Sequence, residues 1–168
     1  MTGITVGYDG SHSAQQALEW AMREAAIHHA PLTVLAVHPV AASGWTGNPM
    51  ILPADHPAVT ETRQTAMDAI GKAAAELGEA SAVPATVHAV SGIPAQELIA
   101  ASADTDLLVV GARGHSAISH LLLGSVSAAV LHHARCPVAV IPSARAAEPS
   151  PQRSPRARSE EPSAPILA

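Results

Sequence analysis

The chain has 168 residues, 48% of them apolar and 14% charged, with a net charge of −5; that is the length of one domain and too apolar for a wholly disordered protein. Two Trp, one Tyr and no Phe make only 2% aromatic content, which disfavours aromatic-girdled barrels, Trp-pinned sandwiches and single-stranded nucleic-acid binding by base stacking. The only lysine, Lys72, lies outside any glycine run, so a P-loop is excluded, and the only cysteine, Cys136, excludes an intrachain disulfide.

With 36 alanines, the core is expected to be built from Ala, Val, Leu and Ile. No basic patch of the nucleic-acid type is visible. No signal peptide and no run of 18 apolar residues is found either, so a soluble cytoplasmic protein without membrane contact is expected.

Residues 3–8 (GITVGY) form a short β-branched run that ends in the turn signal Asp9-Gly10-Ser11. Helical periodicity follows, with Ser13 and Gln16 at capping-box spacing and Ala14, Leu18, Ala21 and Ala25 on one face. The helix should end near His29, because Pro31 disfavours helix in the residue before it. Residues 32–38 (LTVLAVH) are nearly continuously apolar, the mark of a strand buried on both faces, and Pro39 is expected to limit it. A long loop over 40–57 and a helix over 58–79 come next, with Ala66, Ile70, Ala73 and Leu77 aligned. A third strand is predicted over 85–90, a turn at Gly92, and a short helix from Pro94 to about Ala103. Leu107 to Val110 read as another buried strand, Ser125 to His133 as a helix, and 137–141 (PVAVI) as the last strand. Residues 143–168 hold five prolines, several serines and no periodicity, and are expected to be a disordered tail behind a domain of residues 1–142.

Strands alternating with helices, and apolar on both faces, predict an open α/β domain: a parallel sheet covered by helices on both sides. Ligands of such sheets bind beyond the carboxyl ends of the strands, where the order of winding reverses. In an order such as 3-2-1-4-5, Asp9 after the first strand faces Gly111 after the fourth. Gly111 and Gly114 leave that fourth strand, and Gly124-Ser125 stands ten residues on at a helix start. Glycine allows close approach of a ligand to the backbone. A helix start offers unpaired N–H groups, and Arg113 adds a cation that can reach phosphate. A diphosphate or triphosphate fits this pattern; the competing reading is ordinary strand-exit and helix-cap glycines.

The sequence resembles the universal stress protein family over residues 3–142. The nucleotide-binding branch of that family carries G-x2-G-x9-G-[S/T], matched here by Gly111, Gly114, Gly124 and Ser125. The opening VGYDGS (6–11) and the run GSVSAAVLHHARCPVAVIP (124–142) are also similar to the family. The resemblance implies a five-stranded parallel sheet of order 3-2-1-4-5 and a homodimer paired through the last strand, 137–141. It implies ATP as ligand, with Mg²⁺ or Mn²⁺ as a candidate companion of the phosphates. Gly7 and Asp9 would then lie near the nucleoside, with the Asp9 carboxylate suited to ribose hydroxyls. Gly111, Ala112, Arg113, Gly114 and His115 would line the phosphates, and Gly124, Ser125, Val126 and Ser127 would hold them from the helix end. One position departs from the family pattern. The residue after His38, whose backbone N–H and C=O would read the base, is Pro39 and has no N–H; Val37 or Val40 is the candidate substitute.

Other chemistry has weaker signals. The pairs His28-His29 and His132-His133 sit near helix ends, where imidazole complements the dipole, and adjacent helical residues do not form a chelate face. His115 is either a phosphate donor that titrates near neutrality or an exposed loop residue. Cys136 reads as a small buried hydrophobe. Asp104 and Asp106 precede the fourth strand, at the wrong edge of the sheet, and read as a solvated turn. No nucleophile elbow or H-E-x-x-H helix is present. The expectation is therefore an ATP-binding regulatory stress protein and not an enzyme, with weak incidental ATP hydrolysis at most. The alternative is a dimeric interaction module of the same fold without nucleotide. An adenylating pyrophosphatase is a third class, but its S-G-G-x-D-S loop is replaced here by Tyr8-Asp9-Gly10-Ser11-His12-Ser13.

Overall fold

The computed structural model describes residues 3–40, 50–78, 83–114 and 123–142. The elements follow in the order β1 (Ile4–Tyr8), α1 (His12–His28), β2 (Leu32–Pro39), α2 (Pro57–Leu77), β3 (Ala85–Gly92), α3 (Pro94–Ala101), β4 (Leu107–Gly111), α4 (Ser125–His133) and β5 (Val138–Ile141). The five strands form one parallel sheet of order β3-β2-β1-β4-β5. The expected fold class is therefore the observed one. The expected tail, 143–168, and residues 41–49 of the expected loop lie outside the described residues.

Strand alternation divides the core in two. Ile4, Val6, Leu32, Val34, Ala36 and Val109 face α1 and α2, where Ala17, Ala21, Ala25, Ala66, Ala69 and Ala73 meet them around Leu18 and Met22. Leu35, Leu108 and Val110 face the other way, onto Leu98 of α3 and Val130 of α4. The helices press on the first face mainly through alanine, so a core nearly without aromatics still closes: small helix residues let the helix backbone approach the branched strand residues. Cys136 packs at the margin of the second cluster, and burial raises the pKa of its thiol.

Several element ends differ from the sequence expectation, each for a visible reason. The cap of α1 is Ser11, whose hydroxyl accepts from Ala14 N, so the box is not centred on Ser13. Ser13 is inside the helix and buried, and its hydroxyl is used across the sheet edge. Pro39 does not limit β2; it is the last residue of that strand, opposite Gly92. It is tolerated because β1 has already ended, opposite Ala36, so no ladder bond to β1 is lost. β3 likewise runs on to Gly92, and the buried Ser91 clamps the backbone of Leu52, accepting from its N–H at 2.6 Å and donating to its carbonyl at 2.8 Å. α3 stops at Ser102, which donates to Ile99 O and accepts from Arg135 N.

At the far edge of the sheet, Asp106 is more than a solvated turn residue. Its Oδ2 accepts from Gly3 N at 3.0 Å, and Thr105 donates to Gly3 O at 2.9 Å, which pins the start of β1 beside β4. The histidine pairs sit at helix ends as expected. His28 lies 3.4 Å from Glu24, and His29 caps α1 in the left-handed region at φ 50°. No described helix is long and apolar enough to cross a membrane.

Candidate functional site

The winding of the chain reverses between β1 and β4, and a cleft of about 550 Å³ opens there beyond their carboxyl ends. Ten of the sequence-predicted residues line it: Gly7 and Asp9 from β1 and its exit, Val37 from β2, Gly111, Arg113 and Gly114 from β4 and its exit, and Gly124, Ser125, Val126 and Ser127 from the start of α4. Ala112 is buried and, like Val40, does not line it, and His115 lies outside the described residues. The wall also includes Pro39, the position without an N–H, and residues that the sequence did not single out, among them Leu35, Leu98 and Tyr8, and Thr62 and Thr65 of α2. Asp9 and Arg113 are its only charged members among the described residues.

One end of the cleft is a collection of donors. Gly124 caps α4 without a side-chain bond, and the first intrahelical bond to that cap comes from Ala128 N to Gly124 O. The N–H groups of Ser125, Val126 and Ser127 precede that bond and have no acceptor within the helix. They carry the positive end of the helix dipole, and the exposed Ser125 adds a hydroxyl. Arg113 lines the cleft beside that cap, its Cα 3.6 Å from where a Cβ on Gly124 would stand, and its Nε is buried with no hydrogen-bond partner among the described residues. An unpaired buried N–H on a cation costs free energy that a bound anion would recover.

None of Gly111, Gly114 and Gly124 has positive φ; among the described glycines that holds for Gly3, Gly10 and Gly78. A Cβ on Gly111 would stand 2.5 Å from Ser13 Oγ and 2.8 Å from Ser13 C, so this glycine lets the first turn of α1 press on the end of β4. A Cβ on Gly114 would stand 2.5 Å from Asp9 Oδ2. Gly7 leaves room for Leu98 in the same way, at 2.9 Å. Only Gly124 has ordinary clearance, 3.6 Å. Three of the four glycines thus shape the cleft by admitting neighbouring protein groups, and the ligand-facing backbone follows from that packing.

Hydroxyls complete the frame. Ser13 Oγ accepts from Arg113 N at 3.3 Å, and Ser11 Oγ reaches Arg113 O at 3.5 Å. Together they fix the backbone that carries the guanidinium. Ser127, expected to grip the ligand, is buried, and its hydroxyl donates to Gly111 O at 2.7 Å; its backbone N–H is what it has left for an anion. Asp9 is exposed, and its Oδ1 accepts from Ser11 N at 2.9 Å, which orients the carboxylate over the α1 start. Tyr8 alternates with Ile4 and Val6 onto the α1/α2 face while lining the cleft, and burial first, then the Asp9 charge, raise its pKa. No three His, Cys, Asp or Glu side chains converge for a metal among the described residues.

The other end of the cleft is apolar, with Leu35, Val37, Leu98 and the rings of Pro39 and Pro94. Val40, a candidate substitute for the missing Pro39 donor, is not available: its N–H donates to Gly92 O at 3.2 Å. An anion grip at one end and an aliphatic slot at the other suit a ligand with a charged head and a flat apolar body.

Comparison with known proteins agrees with this architecture. Residues 1–142 match the model of the universal stress protein family. A universal stress protein of Mycobacterium tuberculosis is 39% identical over 159 residues, covering 91% of this chain and 52% of the relative. A second from the same organism is 35% identical over 155 residues with the same coverage. The chain thus spans about half the length of these curated relatives. Among solved structures, the universal stress protein UspA from Lactobacillus plantarum aligns with a TM-score of 0.64 at 30% identity, covering 82% of this chain and 95% of that one. A universal stress protein in complex with cAMP aligns with a TM-score of 0.59 at 27% identity, covering 83% and 95%.

Proposed function

Because the chain belongs to the universal stress protein family, we propose that its cleft binds a nucleotide, ATP in the first instance, and that occupancy regulates the protein. The carrying observation is Arg113, whose buried Nε has no hydrogen-bond partner among the described residues and whose backbone stands beside the start of α4, where three N–H groups have no acceptor within the helix. Phosphates are the anions that such a cluster suits, since they accept several hydrogen bonds at once. The solved relative described in complex with cAMP supports the same ligand class.

In this reading Arg113 and the first turn of α4 hold the phosphates, with Ser125 adding its hydroxyl and Gly111, Gly114 and Gly124 bringing backbone close. His115 belongs to the same loop by sequence. Asp9 accepts from ribose hydroxyls, with Gly7 beneath, and the base lies against Leu35, Val37 and Leu98. A divalent ion, Mg²⁺ or Mn²⁺, would be held mainly by the phosphates. The role is regulatory: Asp9 is the one carboxylate on the described wall, and phosphoryl transfer needs an organised base or nucleophile at the phosphates. Regulation requires that ATP bind two states of the protein unequally.

The partner that would read that state is a second copy of the chain. β5 is an edge strand next to β4, and its four residues Val138 to Ile141 are all only half-buried. An edge of this kind pairs readily with another strand.

The test is the nucleotide content of the protein as purified from cells under native conditions, released by denaturation and separated by chromatography. The expected result is adenine nucleotide at up to one equivalent per chain, or its uptake on addition of MgATP. A protein that carries none and takes up none favours the nucleotide-free interaction module.

A further inference from the structure

The base end of the cleft has a one-sided hydrogen-bonding inventory. β1 pairs with β2 only as far as Tyr8, opposite Ala36, whereas β2 continues along β3 to Pro39. Backbone groups along a strand alternate between its two neighbours. Leu32 and Val40 donate to Pro84 and Gly92, on the β3 side. The polar backbone groups of Val37 and Pro39 therefore face the β1 side. The register assigns the Val37 N–H to Tyr8, the last rung of that ladder, and leaves the Val37 carbonyl beyond it. Pro39 has no N–H. Both residues line the cleft, so β2 shows it two carbonyls and no donor.

On the other described walls, Thr62 Oγ1 donates to Ala58 O at 2.9 Å and lies 3.4 Å from His38 Nδ1, and Thr65 Oγ1 donates to Glu61 O at 3.0 Å, so both hydroxyl protons are used inside α2 and Thr65 keeps its lone pairs. Pro94, on another wall, lacks an N–H as well. The Tyr8 phenol both donates and accepts, so it does not discriminate.

We infer that the base end is an acceptor surface that takes guanine nucleotides at least as well as adenine nucleotides, and that Pro39 is the residue that sets this preference. Guanine carries an N–H at ring position 1 and an amino group at position 2, two donors that backbone carbonyls and threonine lone pairs satisfy, against one acceptor on that edge, the oxygen at position 6. Adenine has one donor there, the amino group at position 6, and a bare acceptor nitrogen at position 1. Against carbonyls and proline rings that nitrogen is buried without a partner, which is the costly case. The inference rests on the nucleotide reading above and concerns only its base end.

The experiment is equilibrium binding of MgATP, MgITP and MgGTP to the full chain and to a Pro39→Ala variant, which restores one N–H. In the wild type, GTP is expected to bind at least as tightly as ATP, and more tightly than ITP, which lacks the 2-amino donor. Pro39→Ala is expected to move the ATP-to-GTP affinity ratio toward ATP by about fivefold or more, the order of one hydrogen bond gained. A wild type that prefers ATP over GTP by about tenfold, or a folded variant with an unchanged ratio, overturns the inference. If the variant does not fold, the wild-type series decides alone, since GTP against ITP adds one donor without touching the protein and an acceptor wall must favour GTP. Binding of ATP with ITP and GTP excluded overturns this inference and leaves the nucleotide reading standing. Binding of none of the three overturns both.

Discussion

The two ends of the cleft are built on opposite plans. At one end, donors are left over among the described residues: three N–H groups at the start of α4 and Arg113 Nε. At the other, the described donors apart from the Tyr8 phenol are missing or spent, because Pro39 and Pro94 have none and Thr62 and Thr65 use theirs within α2. The lesson concerns where specificity resides. On the proposed reading, the first end recognises charge with backbone that any phosphate can use, while the second recognises shape and apolar area, with the Pro39 ring setting which base edge it tolerates.

The contrast should appear first as stability against affinity. Leu98 closes the base end and is also a member of the second core cluster, fitted against Gly7. Leu98→Ala is expected to cost about 2–4 kcal/mol of unfolding free energy, read from denaturant midpoints. A loss below about 0.5 kcal/mol would mean that the wall does not depend on core packing.

Gly111→Ala is expected next, at about 1–3 kcal/mol, because the new methyl meets the Ser13 backbone and not a flexible side-chain end. An unchanged melting midpoint would remove the packing role assigned to this glycine.

Gly124→Ala should be milder, about 0.5–1 kcal/mol, since the position has clearance and loses only a favourable helix cap. Gly114→Ala presses on the Asp9 carboxylate instead. It should weaken nucleotide binding more than it lowers stability, and the reverse order would contradict the Asp9–Gly114 contact as a site element.

The smallest effect is spectroscopic. Tyr8 is the only tyrosine, so its phenolate absorbance can be followed alone. Burial and the Asp9 charge raise its pKa, so the rise in absorbance should come above the ordinary value of about 10. The neutral phenol is the form favoured in the fold. The associated stability is present below the ordinary value and lost as pH rises through the raised one. Asp9→Asn should move the transition part of the way down, and a wild-type transition at the ordinary value would contradict the burial of Tyr8.

The fold was legible because its signals are local. Two-sided apolar runs such as 32–38 and 107–110 mark buried parallel strands, and the stripe of Ala14, Leu18, Ala21 and Ala25 marks the covering helix. The strand exit and helix start that frame one end of the cleft were legible for the same reason, marked by Gly111, Gly114 and Gly124-Ser125. What was not legible depends on distant partners. Ser13 sits where a cap would be plausible, but its hydroxyl meets Arg113 N and Ile141 O, far along the chain. Gly111 and Gly114 look like ligand-facing glycines until Ser13 and Asp9 are seen occupying the space. Pro39 looks like a strand terminator because the sequence does not show that β1 stops three residues earlier in register.

The central claim is that the unpaired donors at Arg113 and the start of α4 carry nucleotide binding. Calorimetric titration of MgATP into the wild type and into Arg113→Ala tests it most directly. The predicted result is a dissociation constant below the millimolar range in the wild type, and an affinity lower by about 10- to 100-fold in a variant that melts at the same temperature, the order of one lost charged hydrogen-bonding partner. A wild type that does not bind below the millimolar range, or a folded variant that binds as well as the wild type, would contradict it.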